Sequence, residues 1–190
     1  MRRALDGLAH RGLDARGFAL EATRVLARAV SFDGVCVLTM DPATHLPTGE
    51  IVENGLPAAA MARMAEIELA GADVNTFAAL ARAARPAATL SAATDGDLDR
   101  SVRHCELRGP QGLGDELRAA LVVNGTAWGA LTLLRGRDRP DFAPCDTALV
   151  AAAAGSLAEG LRCAILVGPV RRRARSGASA WSSSPSTVRW

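Results

Sequence analysis

Asn124-Gly125 stands between two long apolar runs, Asp115–Val123 and Thr126–Gly136. A two-residue loop whose residues accept positive φ matches the right-handed twist of paired strands, so this dipeptide is the strongest short-range signal for a β-hairpin. The loop length then fixes a register. It predicts Val123 opposite Thr126, Leu121 opposite Trp128, Ala119 opposite Ala130 and Leu117 opposite Thr132. The other face carries Val122 with Ala127, Ala120 with Gly129 and Arg118 with Leu131. One face is bulky around Leu121 and Trp128. The other is scooped out at Ala120, Ala127 and Gly129, which leaves room for a ligand or for a helix at close range.

Phe142-Ala143-Pro144 follows the hairpin and predicts a helix from Pro144 to about Val167. Pro144 suits the first helical position, where its missing N–H would have no partner anyway. Ala143 then sits at the N-cap. Ala152, Ser156, Gly160 and Ala164 recur every four residues as a stripe of small side chains. Leu149, Ala153, Leu157 and Leu161 form a second stripe beside it. The apolar arc is wider than one contact needs, and Gly155 and Gly160 weaken the helix unless close packing offsets them.

Upstream, Gly17–Ser31 repeats apolar residues at helical spacing (Phe18, Ala22, Val25, Leu26, Ala29, Val30). Val35–Met40 is a continuous apolar run of strand length, and Thr48–Asn54 reads as its partner across the turn residues Asp41-Pro42-Ala43-Thr44. Two helices are expected at Ala58–Leu69 and Asn75–Ala84, with a brief central strand near Thr89-Leu90. Asp95–Gly114 lacks periodicity and has the character of a binding loop or lid. After Gly168-Pro169 the chain turns to an arginine run, Arg171–Arg175, and then to a serine-rich end. The expected organisation is one domain over residues 1–168 and a disordered tail over 169–190.

With 190 residues and a 49% hydrophobic share the chain can bury a full core. The net charge of +2 argues for neither a nucleic-acid coat nor a membrane patch. Every basic residue is Arg, so the arginine count carries no information about phosphate binding. No apolar run is read as approaching the ~20 residues of a membrane span, and the first residues lack the apolar core of a secretory signal. Cys36, Cys105, Cys145 and Cys163 lie far apart, so a cytoplasmic protein with reduced thiols is expected.

Few residues propose themselves as chemistry. His104-Cys105 lies near Arg103 and Arg108, and a thiol beside cations can be activated. Lone His45 and His104 do not have metal-ligand spacing. Asp95, Asp97 and Asp99 look like the start of a calcium loop, but Glu106 falls out of register. No metal and no cofactor is expected. The short arginine run reads as a solvated tail, so no nucleic acid is expected to bind through this chain.

Phe32–Pro42, Pro47–Glu50, Glu53–Pro57, Gly114–Arg118 and Trp128–Leu131 together, in this order and spacing, resemble a GAF domain. More narrowly, they resemble the sensor region that precedes a LuxR-type helix-turn-helix in transcriptional regulators of GC-rich bacteria. The likeness runs from about Leu5 to Val167. It implies an α/β (α+β) fold: a central antiparallel sheet, the first and last helices on one face and a ligand pocket on the other. It implies regulatory sensing of an unknown small molecule rather than catalysis, in a regulator expected to lack its DNA-binding half. Pocket candidates are Cys36, Leu38, Met40, Arg103, His104, Cys105, Ala120, Ala127 and Gly129. Pairing of first and last helices across a homodimer would use Phe18, Val25, Leu149, Ala152, Ser156, Gly160 and Ala164; packing of those helices on the domain itself is the alternative. Some GAF relatives reduce sulfoxides with loop cysteines, which makes a thiol-dependent reductase using Cys105 the competing class. The lysine-containing pattern of cyclic-nucleotide-binding relatives is absent.

Overall fold

A computed structural model describes residues 1–43 and 46–180, and of residues 167–180 the backbone alone. Five strands form one antiparallel sheet in the order β2-β1-β5-β4-β3. They are β1 (Gly34–Met40), β2 (Pro47–Glu53), β3 (Ala87–Thr89), β4 (Leu113–Val123) and β5 (Thr126–Gly136). The short strand expected near Thr89-Leu90 exists, beginning two residues earlier at Ala87. It lies at the sheet edge rather than the centre, because β4 and β5 take the middle with their long apolar runs.

The helices sort to the two faces. On one face lie α1 (Arg2–Ala9), α2 (Ala15–Ala27) and α6 (Pro144–Ala180); on the other lie α3 (Met61–Ala70) and α4 (Phe77–Arg82). The four-residue α5 (Leu90–Ala93) follows β3. Helix α1 was not anticipated, since Asp6, His10 and Arg11 blur its pattern; Leu5 and Leu8 are nonetheless buried in the main core. Capping sets two of the starts. Asp14 accepts from Gly17 N at 2.8 Å before α2, and Thr76 accepts from Ala79 N at 3.3 Å before α4.

The main core lies between the sheet and α1, α2 and α6. Val35, Val37, Leu117, Leu121, Leu131 and Leu133 meet Phe18, Leu26, Leu157 and Leu161 there. A second, smaller cluster on the opposite face joins Met40, Ala120, Ala127 and Ala130 to Phe77 and Leu80 of α4.

The hairpin turns at Asn124-Gly125, both at positive φ (53° and 75°). Val123 faces Thr126 and Val122 faces Ala127 as the loop length predicts. One step further Leu121 faces Gly129, not Trp128. Trp128 is the extra residue of a β-bulge, and from there the predicted register is off by one: Ala120 meets Ala130, Ala119 meets Leu131 and Arg118 meets Thr132. A one-residue slip turns every following side chain to the other face. Gly129 therefore leaves the Ala120 face. A β-carbon there would point at Leu161 Cδ1 of α6, 2.7 Å away, and into the Leu38 carbonyl. The missing side chain serves close packing of α6 and of the neighbouring strand.

Helix α6 begins at Pro144, where the sequence places it. The carbonyl of Ala143 accepts from Asp146 N at 2.9 Å, and Asp146 Oδ2 in turn accepts from Ala143 N at 3.0 Å. Its end differs. The backbone stays helical past Gly168-Pro169 to Ala180, so the expected boundary at 168 falls inside a helix. Arg171, Arg172, Arg173, Ala174 and Arg175 in that stretch are strong helix formers. Residues 181–190 of the expected tail lie outside the described residues, as does His45.

Pro144–Leu166 is long and apolar enough, by length and composition, to cross a membrane. This corrects the expectation that no run comes near that length. About half of it is buried inside the protein, where Val150, Ala153, Ala154, Leu157, Ala158 and Leu161 pack in the main core. Core packing accounts for that apolarity.

Candidate functional site

Between the sheet and helices α3 and α4 lies a cavity of about 580 Å³. Its floor is the inner face of four strands. On that face one row runs Glu50, Leu38, Ala130, Ala120 and the next runs Val52, Cys36, Thr132, Arg118; of these Glu50, Leu38, Ala120 and Arg118 line the cavity. Alternation along each strand puts these side chains on one face. Ala120 and Ala127 keep the floor low. The roof comes from Met61, Met64, Ala65, Glu68 and Leu69 of α3 and from Phe77, Ala78 and Ala81 of α4. Leu46 and Leu69 stand exposed. A volume within about 300–1,000 Å³, mostly apolar walls and a few converging polar groups are the properties of small-molecule sites.

The expected pocket residues divide. Leu38, Met40, Ala120 and Ala127 line the cavity, and Gly129 reaches it with its backbone. Cys36 shares the face but lies in the row beyond. Its Sγ donates to Glu50 Oε1 at 3.4 Å, and burial together with Glu50 pushes the thiol up to about 12. Arg103, His104 and Cys105 do not line the cavity. They belong to a π-helical turn, His104–Arg108, and the residue before it.

Arg103 and Arg108 turn inward, away from Cys105. Arg103 Nε donates to Glu116 Oε1 at 2.7 Å and Nη1 to the Val74 carbonyl at 2.6 Å; Asp73 Oδ2 is 3.0 Å from Nη1. Arg108 Nε donates to Glu116 Oε2 at 3.1 Å. His104 is buried, and burial pushes its imidazole below the ordinary range. Cys105 is exposed and donates to the Asp99 carbonyl at 3.0 Å. Desolvation and the Asp99 carboxylate push its thiol up, the opposite of activation. The expected pairing of Cys105 with nearby cations fails because both arginines are committed to Glu116. Asp95 pairs with Arg100, and Glu106 with Arg63 of α3 through two bonds of 2.7 and 3.0 Å.

Glu116 is the centre of this buried network. Burial alone would push its carboxyl up; Arg103, Arg108 and Arg118 outweigh that and hold it at about 2. Arg118 joins the network to the cavity it lines. Its Nη2 donates to Glu68 Oε2 at 2.8 Å and its Nη1 to the Asn75 carbonyl at 2.9 Å. The guanidinium stacks on Phe77 at 3.7 Å. Its Nε is buried with no hydrogen-bond partner among the described residues; Glu116 Oε1 lies 3.8 Å away. Glu68 accepts a second bond, from Phe77 N at the start of α4.

The neighbouring carboxylate, Asp115, ties the sheet to α6. Its oxygens accept from Ser91 N and Oγ at 2.8 Å each, and from Glu116 N and Phe142 N at 2.9 Å each. Phe142 immediately precedes the cap of α6.

The roof residues went unnamed in the sequence, although the signal is present. Met61, Met64, Ala65, Glu68 and Leu69 follow i, i+3, i+4, i+7, i+8, one helical face. Arg118 sits on the small-residue strand face that the hairpin register predicts, two residues from Ala120.

The proposed pairing residues also divide. Phe18, Ser156, Gly160 and Ala164 are buried within the single chain. A β-carbon on Gly160 would overlap the Phe18 ring. The small stripe thus packs α6 on the protein's own first helices. Val25 is half-buried, and Leu149 and Ala152 are exposed.

The sequence matches the GAF domain family over residues 14–161, and the chain belongs to that family. A search among curated proteins finds no match. Among solved structures it is similar to the GAF domain/HD domain protein from Geobacter sulfurreducens, with 23% identity, a TM-score of 0.54, and 78% of this chain and 93% of that one covered. It is also similar to the VqsR LBD domain from Pseudomonas aeruginosa (15% identity, TM-score 0.55, 85% and 92% covered). Escherichia coli SdiA gives 14% identity and a TM-score of 0.54, with 85% and 65% covered. These likenesses establish the fold.

Proposed function

We propose that this chain is a regulatory, non-catalytic module that senses a small molecule held in the cavity between the sheet and helices α3 and α4. The observation that carries the reading is the cavity itself, about 580 Å³ with apolar walls and Arg118, Glu68 and Glu50 at its polar positions. The likeness to VqsR and SdiA supports a place in transcriptional regulation of the LuxR type. The output would run through α6. Arg118 lies beside Glu116, and the adjacent Asp115 holds Phe142 at the head of that helix. Pairing with a second copy would use what α6 leaves exposed, Leu149, Ala152 and Leu166, together with Val25.

The test is a small-molecule screen read by thermal shift on the full chain and on Ala81→Phe, which fills the cavity from α4. A ligand that raises the melting temperature of the first and not of the second supports the reading. Ligands that stabilise both equally would sink it. The thiol-reductase alternative predicts sulfoxide turnover that vanishes in Cys105→Ser; the raised Cys105 thiol argues against it.

A further inference from the structure

We propose that helix α3 is a lid over the cavity, latched shut by the bond of Arg63 to Glu106. This rests on the cavity reading above and adds how a small molecule enters. Helix α3 supplies much of the roof, yet it is held to the protein by little apolar contact. Of its ten residues Ile67 alone is buried, and Ile67 belongs to neither apolar cluster. Leu69 is 74% exposed. Its neighbour α4, of six residues, sinks Phe77 and Leu80 into the second cluster. Apolar attachment grows with the area taken from water, so α4 is anchored where α3 is not. Segments with few buried apolar side chains open well below the free energy of global unfolding.

Polar bonds take the place of apolar ones. Among the described residues, two side chains bond α3 to other elements. Glu68, near its end, accepts from Arg118 and from Phe77 N. Arg63, near its start, donates from Nε and Nη2 to the two carboxylate oxygens of Glu106, at 2.7 and 3.0 Å. A guanidinium forked on a carboxylate is directional as well as charged. The turn that carries Glu106 is a firm anchor, because Arg103 and Arg108 fasten it to buried Glu116.

The fork itself stands in solvent, its two side chains 46% and 43% exposed. Water and salt compete for it, so it holds weakly enough to release. The joints on either side permit movement. The chain enters α3 through the short turn Ala58–Ala60, without a side-chain cap, and leaves it at Gly71, φ 65°. Hinges are a few such positions at the ends of an element. Met40 lines the cavity beneath this roof and is 8% exposed. Release of Arg63 from Glu106 lets α3 swing outward and opens the cavity to solvent.

Two measurements on the full chain without ligand test this: amide hydrogen exchange, and oxidation of Met40 to its sulfoxide by hydrogen peroxide, read by peptide mass. In the unchanged chain the α3 amides should be less protected than those of β4 and β5. Glu106→Gln alters nothing on α3 itself. It should raise α3 exchange and Met40 oxidation together by about two- to fivefold, the range of one exposed ion pair, and leave β4 and β5 as they were. Arg63→Glu combined with Glu106→Arg should restore both rates. Protection of α3 equal to that of β4 and β5, or no response to Glu106→Gln, overturns the proposal. So does a rise in α3 exchange without Met40, which is fraying, a rise shared with β4 and β5, or a reversed pair that fails to restore the rates. None of these outcomes touches the cavity reading, which the Ala81→Phe screen tests with the latch intact.

Discussion

The Phe18 ring occupies the space that a β-carbon on Gly160 would fill, so α2 and α6 meet where α6 carries no side chain. Both residues are buried within the chain. The stripe of small residues on α6 is thereby explained by packing inside one protein molecule. Gly160→Ala should cost about 1–3 kcal/mol through overpacking, although alanine is the better helix former. Phe18→Leu shortens the ring side chain, so the double variant should recover part of that loss. Denaturant melts of the four proteins give the coupling. Additive costs would show that the two residues do not share this contact.

Gly129 tests the bulge. Its missing β-carbon faces Leu161 and the Leu38 carbonyl, not the cavity. Gly129→Val should destabilise the domain by about 1–3 kcal/mol, in the presence or absence of ligand. An unchanged melting temperature with loss of ligand binding would return Gly129 to the pocket face and remove the register shift at Trp128.

The Glu116 network sets an acid limb to stability. Its carboxyl is held at about 2, against an ordinary 4.5. Between those values the unfolded chain binds the proton and the folded chain does not, so stability rises with pH across that window. The contribution is complete above about pH 4.5 and is lost as the pH falls through about 2. Glu116→Gln should be less stable at pH 7, since it strands buried arginines, and its acid limb should be flatter than that of the unchanged chain. Melts at pH 7, 4, 3 and 2.5 supply the comparison; parallel limbs would mean that Glu116 does not carry the charge.

The cap of α6 can be improved. Ala143 stands at the N-cap with no side-chain acceptor, and Asp146 already returns its bond from the first turn. Ala143→Thr completes the reciprocal pair and should stabilise by about 0.5–2 kcal/mol. The gain should appear as a higher denaturant midpoint with unchanged slope. A loss would mean that the bond from the Ala143 N–H to Asp146 matters more than a threonine hydroxyl can add.

The sequence by itself determined the parts of this protein that depend on short-range chemistry. Asn124-Gly125 placed the hairpin, Pro144 placed the start of α6, and the apolar run Val35–Met40 placed the strand beside them. Each rests on backbone preferences and periodicity carried by a few consecutive residues. The order of these pieces was enough for the family. Tertiary structure alone decided what depends on residues far apart in the chain. A single bulge at Trp128 moved Gly129 to the helix side, and no local pattern announces where an extra residue will be absorbed. The irregular segment around His104 promised a reactive thiol because Arg103 and Arg108 are its neighbours in sequence. In the fold both reach inward to Glu116, since a buried carboxylate needs them more than solvent-facing Cys105 does. The cavity was half legible for the same reason. Its floor follows from strand alternation, while its roof depends on how α3 and α4 fold back over the sheet. The contact of Arg118 with Glu68, fifty residues away, exists only when that packing is complete.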